Sequence, residues 1–382
     1  MSSDKKKILH IITGLSAGGA ETMLLNLLTK VDNKLFEHHV ISLTNYGPIA
    51  ERIESLGVKV TALKIKGPIS LLRGAFRLYL IMKQVRPNIT QTWMYHSDLI
   101  GGLVAKIFTN SKIIWGIHHT NLVPTENKKT TILAAHINAK LSSHIPDKIV
   151  CCSRAALDVH YGIGFDCDKT LYIPNGFDIN RYGPSVEAKT SFRADLGLGD
   201  DVIVAGMVGR FDPQKDHHNL IKAAARLKNR SIKIVYVLCG KNVDNNNTTL
   251  KGWLQEANLT DVFFLLGERR DIPRITAALD ISVLPSSHGE AFPLVLGEAM
   301  SSCVPCIATN IGDAANIVDE TGLVIEPKNP DALADALYEF GKKSNDDREK
   351  LGAKARERII QNFKLENVVK KYEELYLSLS EE

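Results

Sequence analysis

Lys7-Ile8-Leu9-His10-Ile11-Ile12-Thr13 leads straight into Gly14-Leu15-Ser16-Ala17-Gly18-Gly19-Ala20-Glu21, and a helical pattern runs on over Glu21–Val31. A short, nearly continuous apolar run is the mark of a strand buried on both faces, as in a parallel sheet covered by helices. The glycines that end it permit a tight turn and let backbone N–H groups at a helix start come close to an anion. The spacing is neither GxGxxG nor a P-loop, since the GK[ST] ending is missing, so the loop taken alone also fits a plain strand–helix turn. Lys5–Lys7 ahead of this run imitate a secretion signal. The apolar stretch is only five residues long and contains His10, so a first buried strand is the better reading.

The same alternation recurs along the chain. Further strands are expected at His38–Ser42, Lys59–Leu63, Ile89–Thr92, Lys112–Ile117, Lys148–Cys152 and Thr170–Ile173, with helical patterns such as Ile49–Leu56 between them. A second series comprises Asp201–Val208, Ile232–Cys239, Val262–Leu265, Ile281–Leu284, Cys306–Thr309 and Gly322–Ile325. Turn-rich Pro174–Pro184 separates the two series, and Asp331–Leu379 is helical by pattern. Strands alternating with helices make an α/β fold of two tandem, doubly wound, Rossmann-like domains. The expected boundaries are 1–177, joined by a C-terminal helix of about 364–382 that crosses back, and 178–363. Ligands of such sheets bind at the carboxyl ends of the strands, so the default site is a cleft between the domains.

Composition narrows the function. With 382 residues, 44% hydrophobic and 24% charged, the chain is neither disordered nor collagen-like. No run of about 18 apolar residues occurs, so no bilayer span is expected. The six cysteines, at 151, 152, 167, 239, 303 and 306, form no disulfide framework, which fits a reduced, cytoplasmic protein. A net charge of +4 is too small for a nucleic-acid binder. It divides unevenly, however: residues 1–177 carry +9 and the remainder −5, which favours an anionic surface as partner of the first half.

Two stretches at expected strand ends carry chemistry. Gly209-Arg210-Phe211-Asp212-Pro213-Gln214-Lys215-Asp216-His217 offers a planar guanidinium suited to phosphate oxygens and a mobile ammonium beside it. His288-Gly289-Glu290-Ala291-Phe292-Pro293-Leu294-Val295-Leu296-Gly297-Glu298-Ala299-Met300 follows the strand Ile281–Leu284, with Pro293 expected at the first helical position. That leaves Glu290 in the loop and Glu298 inside an apolar helix. A carboxylate there is costly unless it is paired or binds a ligand, and carboxylates accept well from vicinal sugar hydroxyls.

Glu290 and Glu298, with seven residues between them, resemble the E-x7-E motif of family 4 of the retaining glycosyltransferases, which have the GT-B fold. Ile173-Pro174-Asn175-Gly176-Phe177-Asp178 resembles that family's interdomain signature, and the opening Gly-Gly-Ala-Glu turn its N-terminal glycine loop. Gly209-Arg210 with Lys215 resembles its phosphate-binding pair. The resemblance covers nearly the whole chain. It implies that Arg210 and Lys215 bind the donor diphosphate and stabilise the leaving group. Glu298 would hold the nucleotide ribose, Glu290 would touch the transferred sugar's hydroxyls, and Ala291 and Phe292 would belong to the donor-binding site. Gly18 and Gly19 would let backbone amides approach the donor. His119, or its neighbour His118, would lie near the sugar. Two departures stand out: Ala291 and Cys303 occupy positions where the family usually has glycine.

The resulting expectation is a metal-independent, retaining hexosyltransferase. It would move a sugar from a nucleotide diphosphate donor, UDP favoured over GDP, to a glycan or polyprenyl-diphosphate-linked acceptor. Trp93 and Tyr95, in Trp93-Met94-Tyr95-His96, fit either a place near that acceptor or packing in the core. The basic amphipathic stretch Lys64–Arg86 points to contact with an anionic membrane surface, on the inner face of the cytoplasmic membrane. An epimerase or hydrolase of the same architecture and a non-catalytic nucleotide-sugar-binding scaffold remain as alternatives. Two other motifs carry less. Cys303-Val304-Pro305-Cys306 has redox spacing but follows a helix instead of starting one, and Asp166-Cys167-Asp168 precedes a strand, as a turn does.

Overall fold

The computed structural model describes residues 5–16, 18–199, 201–228 and 230–381. The chain divides into two compact units, Met1–Gly176 with Leu365–Glu382, and Phe177–Lys364. The strands lie within two residues of their expected ends. The first unit holds β1 (Lys6–Ile12), β2 (Phe36–Ser42), β3 (Lys59–Ala62), β4 (Ile89–Trp93), β5 (Lys112–Ile117), β6 (Lys148–Cys151) and β7 (Thr170–Tyr172). The second holds β8 (Ile203–Val208), β9 (Ile234–Cys239), β10 (Phe263–Leu265), β11 (Ile281–Leu284), β12 (Cys306–Thr309) and β13 (Leu323–Ile325).

Each unit is a single parallel sheet. The strand orders are β3-β2-β1-β4-β5-β6-β7 and β10-β9-β8-β11-β12-β13. Both orders reverse once, between β1 and β4 and between β8 and β11, and such a switch point opens a crevice at the strand carboxyl ends. Register locks these pairs, with Ile12 opposite Trp93 and Ile281 opposite Ala205.

Alternation along β1 feeds two cores in the first unit. Ile8 and Ile12 join one cluster, Leu9 and Ile11 the other. The first cluster is closed by the helix Leu365–Glu381, which buries Leu365, Val368, Val369, Tyr372, Tyr376 and Leu379. That spacing is one helical face, and each such side chain contributes about 1.5–3 kcal/mol on burial. His10 is fully buried in the same sheet. Its Nε2 lies 2.9 Å from His38 Nδ1, and Trp93 Nε1 donates to its Nδ1 at 3.3 Å.

Two local expectations change. The helix within Lys64–Arg86 spans only Pro68–Val85, so Lys64 and Lys66 precede it. Gly67 is extended, Pro68 occupies the first turn, and Ser70 Oγ accepts from the backbone N–H of Lys66 and Gly67. Arg86 ends the helix in the left-handed region (φ 51°) just before Pro87. Pro293 likewise flanks its helix, which is Leu294–Ser301; its ψ of 104° is extended while its carbonyl accepts from Leu296 N.

Candidate functional site

In the second unit the switch point makes neighbours of the loops after β8 and β11. Lys215 Nζ lies 2.6 Å from Glu290 Oε1, and Ser286 Oγ donates to the same oxygen at 2.7 Å. Both charged side chains are largely buried. An ammonium has three donors, so one bond to Glu290 leaves capacity for a phosphate oxygen. Arg210, on the same loop as Lys215, is half-exposed, its Nε 3.1 Å from Asp212 Oδ2 and its Nη2 donating to Gln214 Oε1 at 3.2 Å. Asp212 also accepts from Gln214 N through Oδ1, which shapes the short turn Pro213–Lys215. The guanidinium is therefore oriented in advance and its outer edge is open to solvent. Sequence reasoning overlooked Asp212, Gln214 and Ser286 as supports; the clue was their position within a few residues of Arg210 and Glu290.

Backbone geometry holds the Glu290 loop. Gly312 has φ 59°, and a Cβ there would sit 2.1 Å from the Glu290 carbonyl oxygen. Ala291 is fixed by its carbonyl, which accepts from Asp313 N at 3.0 Å. Glu298 lies in the helix Leu294–Ser301, half-buried, with Tyr182 hydrogen-bonded to its carboxylate and Arg181 nearby. Burial raises its pKa, and Tyr182 and Arg181 oppose that rise. Lys215 and Glu290 thus meet directly, Arg210 is held by Asp212 and Gln214 of the same loop as Lys215, and Glu298 has a separate set of partners.

The Phe292 ring faces inward. It is buried in an aromatic group, its ring centroid 5.8 Å from Phe177 and 5.6 Å from Phe363, so it supports the loop from the core. His217 is also buried without a partner for either ring nitrogen, and burial lowers its pKa to about 4.

In the first unit, Gly18 caps the helix Gly19–Lys30 in an extended conformation, and a Cβ on Gly19 would meet nothing within 4 Å. Glu21 leans back over Gly18, and burial raises its pKa. An anion arriving at this helix start meets that carboxyl group. Ala17 of the same loop lies outside the described residues.

Trp93 and Tyr95 are corrected. Trp93 is fully buried, stacked 5.1 Å from His118, and Tyr95 is buried with its hydroxyl 2.6 Å from His160 Nε2. β4 is a central strand covered on both faces, so its last residue points into the core. Met94 and His96, half-buried, alternate with them, and Met94 has φ 75° at the strand end, a strained backbone for a non-glycine residue. His118 has no partner for either ring nitrogen, and burial brings its pKa to about 4. His119 Nε2 lies 2.9 Å from Asn127 Oδ1. The two minor motifs resolve as expected. Asp166 Oδ1 accepts from the N–H groups of Asp168 and Lys169 in a turn. Cys306 is buried, with its pKa pushed up to about 12.

The model named "Glycosyl transferases group 1" matches residues 188–358, and the one named "Glycosyltransferase Family 4" matches residues 17–181. The chain belongs to glycosyltransferase family 4. Relatives of this family 4 protein span its length. A protein named as the glycosyltransferase EpsF of Bacillus subtilis is 28% identical and aligns over 81% of this chain and 80% of its own. An Escherichia coli protein named UDP-Gal:alpha-D-GlcNAc-diphosphoundecaprenol alpha-1,3-galactosyltransferase is 26% identical over 98% and 97% of the two chains. Among solved structures, Anabaena Alr3699/HepE in complex with UDP and glucose superposes with a TM-score of 0.85 at 21% identity, covering 98% of this chain and 100% of its own. The fold is GT-B. No helix among the described residues is long and apolar enough to cross a membrane.

Proposed function

We propose that this family 4 glycosyltransferase is a retaining hexosyltransferase that takes a UDP-sugar in preference to a GDP-sugar and glycosylates a polyprenyl-diphosphate-linked glycan. The Lys215–Glu290 contact, with Arg210 on the same loop as Lys215, carries the reading. Cleaving the bond between the anomeric carbon and the diphosphate oxygen places negative charge on the leaving phosphate and positive character on the sugar. Arg210 and Lys215 meet the first, which supports metal-independent transfer. Glu290 borders the second and accepts from sugar hydroxyls. The acceptor oxygen bonds to the anomeric carbon from the face the diphosphate leaves, and the acceptor proton passes to a leaving phosphate oxygen. In the first unit, His118, neutral at neutral pH, and His119 directly follow β5, where the resemblance implies a histidine near the sugar. The nucleotide follows the relative named for UDP-Gal and the UDP-bound structural neighbour; the acceptor follows the diphosphoundecaprenol in that same relative's name.

A lipid-linked acceptor calls for contact with the inner face of the cytoplasmic membrane. The helix Pro68–Val85 supports this: Ile69, Leu72, Phe76 and Leu80 form an exposed apolar stripe, Arg73, Arg77 and Lys83 accompany it, and the helix carries no acidic residue. The test is turnover of a nucleotide-sugar panel with and without a polyprenyl-diphosphate acceptor. UDP release should depend on acceptor, persist in EDTA, and give a product whose anomeric configuration matches the donor by NMR. Arg210→Ala and Glu290→Ala should each abolish it with circular dichroism unchanged. Full activity in both, or a free sugar or epimer formed without acceptor, refutes the reading.

A further inference from the structure

Glu298 owes its setting to the turn that opens the second unit. Asp178 Oδ1 accepts from the N–H groups of Asn180 and Arg181, and the Asp178 carbonyl accepts from Arg181 N at 3.2 Å and from Tyr182 N at 2.9 Å. This turn meets the helix Leu294–Ser301 at two consecutive residues. A Cβ on Gly297 would sit 2.1 Å from Phe177 Cζ, so the Phe177 ring fills the space a side chain there would need. At the next residue, buried Tyr182 is hydrogen-bonded to the Glu298 carboxylate. The Arg181 guanidinium stands 5.4 Å from the Tyr182 ring centroid.

Arg356, in the helix Asn345–Phe363, ties the two pieces together. Its Nη1 donates to the carbonyl of Tyr182 at 3.2 Å and to that of Ser301, and its Nη2 donates to the carbonyl of Ile179 at 3.2 Å. Ser301 is the last residue of the helix that carries Glu298, so its carbonyl is one the helix itself does not satisfy. A cation there also meets the negative end of the helix dipole. A planar guanidinium reaches carbonyls of two segments at once, whereas an ammonium is a point donor. Gly352, one turn earlier on the same face, lets the helix Asn345–Phe363 come close enough: a Cβ there would lie 1.9 Å from the Cys303 carbonyl oxygen.

We propose that Arg356 is a positioning residue for donor binding. By tying the turn 178–182 to the carboxyl end of the helix Leu294–Ser301, it fixes the Tyr182 hydroxyl on Glu298 and so aims that carboxylate at the ribose hydroxyls of the nucleotide. The inference rests on the donor reading above, with Glu298 in the ribose role that the family resemblance implies. A carboxylate accepts up to about four hydrogen bonds, so the Tyr182 hydroxyl leaves room for two from a ribose. On the same reading Arg210 and Lys215 hold the diphosphate, so loss of the clamp weakens the grip on the ribose and spares the grip on the phosphates.

The test is calorimetric binding of UDP, and of its dideoxyribose analogue lacking both ribose hydroxyls, to the full chain, with GDP and its analogue as the alternative pair. The wild type should bind the intact nucleotide about tenfold more tightly than the analogue or better, and Glu298→Gln should shrink that ratio. Arg356→Met should shrink it about fivefold or more by weakening the intact nucleotide, with the analogue bound within about twofold of wild type. Arg356→Lys keeps a charge without the fork and should fall between; it decides the question if circular dichroism shows the methionine variant unfolded. An arginine that serves only stability would weaken both nucleotides together or neither. An unchanged ratio in the folded Arg356 variants, with Glu298→Gln still shrinking it, overturns the role of Arg356 and leaves the ribose reading standing. A wild type that binds nucleotide and analogue equally overturns the ribose role of Glu298 and the inference with it. A wild type that binds neither UDP nor GDP overturns the donor reading itself.

Discussion

Lys215 Nζ and Glu290 Oε1 are 2.6 Å apart although 75 residues separate them in the chain. The contact joins the loops that follow two adjacent strands, β8 and β11, and it brings a cation and an anion to one point without cancelling either for a ligand with several oxygens. Lys215→Ala removes a fixed donor from the leaving phosphate and leaves Glu290 buried without its ion-pair partner. Removing one such donor costs about 2.7–4 kcal/mol of transition-state stabilisation, so kcat/KM should fall about 10²–10³-fold, chiefly in kcat. A loss confined to KM would show that Lys215 only holds the ground state.

Gly312→Ala should damage activity out of proportion to its size. The added methyl group would meet the Glu290 carbonyl at 2.1 Å, and φ 59° is strained for alanine. The backbone at 290–291 must shift, with a stability loss above about 1 kcal/mol. Steady-state kinetics and a melting curve on the same preparation check this; unchanged kcat would show that the loop position of Glu290 does not matter.

Tyr376→Phe tests the docking of the last helix. The Tyr376 hydroxyl donates to Gln91 Oε1 in the core, and Gln91 Nε2 has no partner. Phenylalanine would leave both amide atoms unsatisfied at a cost of about 1–3 kcal/mol. Urea unfolding should show a lower midpoint with the same m-value, and an equal midpoint would count against that bond.

Acid should destabilise the fold before carboxylates titrate. His38, His39, His118, His160 and His217 each have a pKa brought down to about 4 by burial. Below about pH 6.5 the unfolded chain takes up protons that the folded chain refuses, so stability falls from there towards pH 4, by up to about 1.4 kcal/mol per pH unit for each histidine. Asp98, Glu298 and Glu21 work the other way, because burial raises their pKa and the folded state holds their protons longer. The histidines outnumber them, so the urea midpoint should drop between pH 7 and pH 5.5. A flat or rising profile over that window would contradict the burial of these rings.

Thiol chemistry should single out one cysteine. Cys167 is exposed, whereas Cys151 and Cys306 are buried with pKa values pushed up to about 12. A thiol reagent at pH 8 should label Cys167 quickly and the buried thiols only after unfolding; rapid loss of Cys306 would revive a redox role for the Cys303–Cys306 pair.

Much of the fold was legible because parallel strands are apolar on both faces and short, so their ends fall within two residues of the expected positions. Arg210, Lys215, Glu290 and Glu298 were legible because charged groups at the ends of apolar runs stand out. Trp93 and Tyr95 stayed open between cleft and core, and the inward face of Phe292 was not legible, because large aromatics near a strand end look the same in sequence whether they face a pocket or the core. Only the packing of Trp93 on His118, of Tyr95 on His160 and of Phe292 on Phe177 and Phe363 decides that. The supports Asp212, Gln214 and Ser286 were missed because short polar residues in loops carry no distinguishing pattern.

By itself the sequence determined the alternation of strands and helices, the two successive sheets and the residue types able to grip a diphosphate and a sugar, all of which follow from local periodicity and side-chain chemistry. Tertiary structure alone decided which of those residues meet. Strand order places β8 beside β11 although 72 residues separate their ends from their beginnings, and hydrogen-bond pairing between distant segments leaves no local trace. It also decided which histidines lose their protons to burial and which face of the helix Pro68–Val85 stays bare, because both depend on what the rest of the chain packs against.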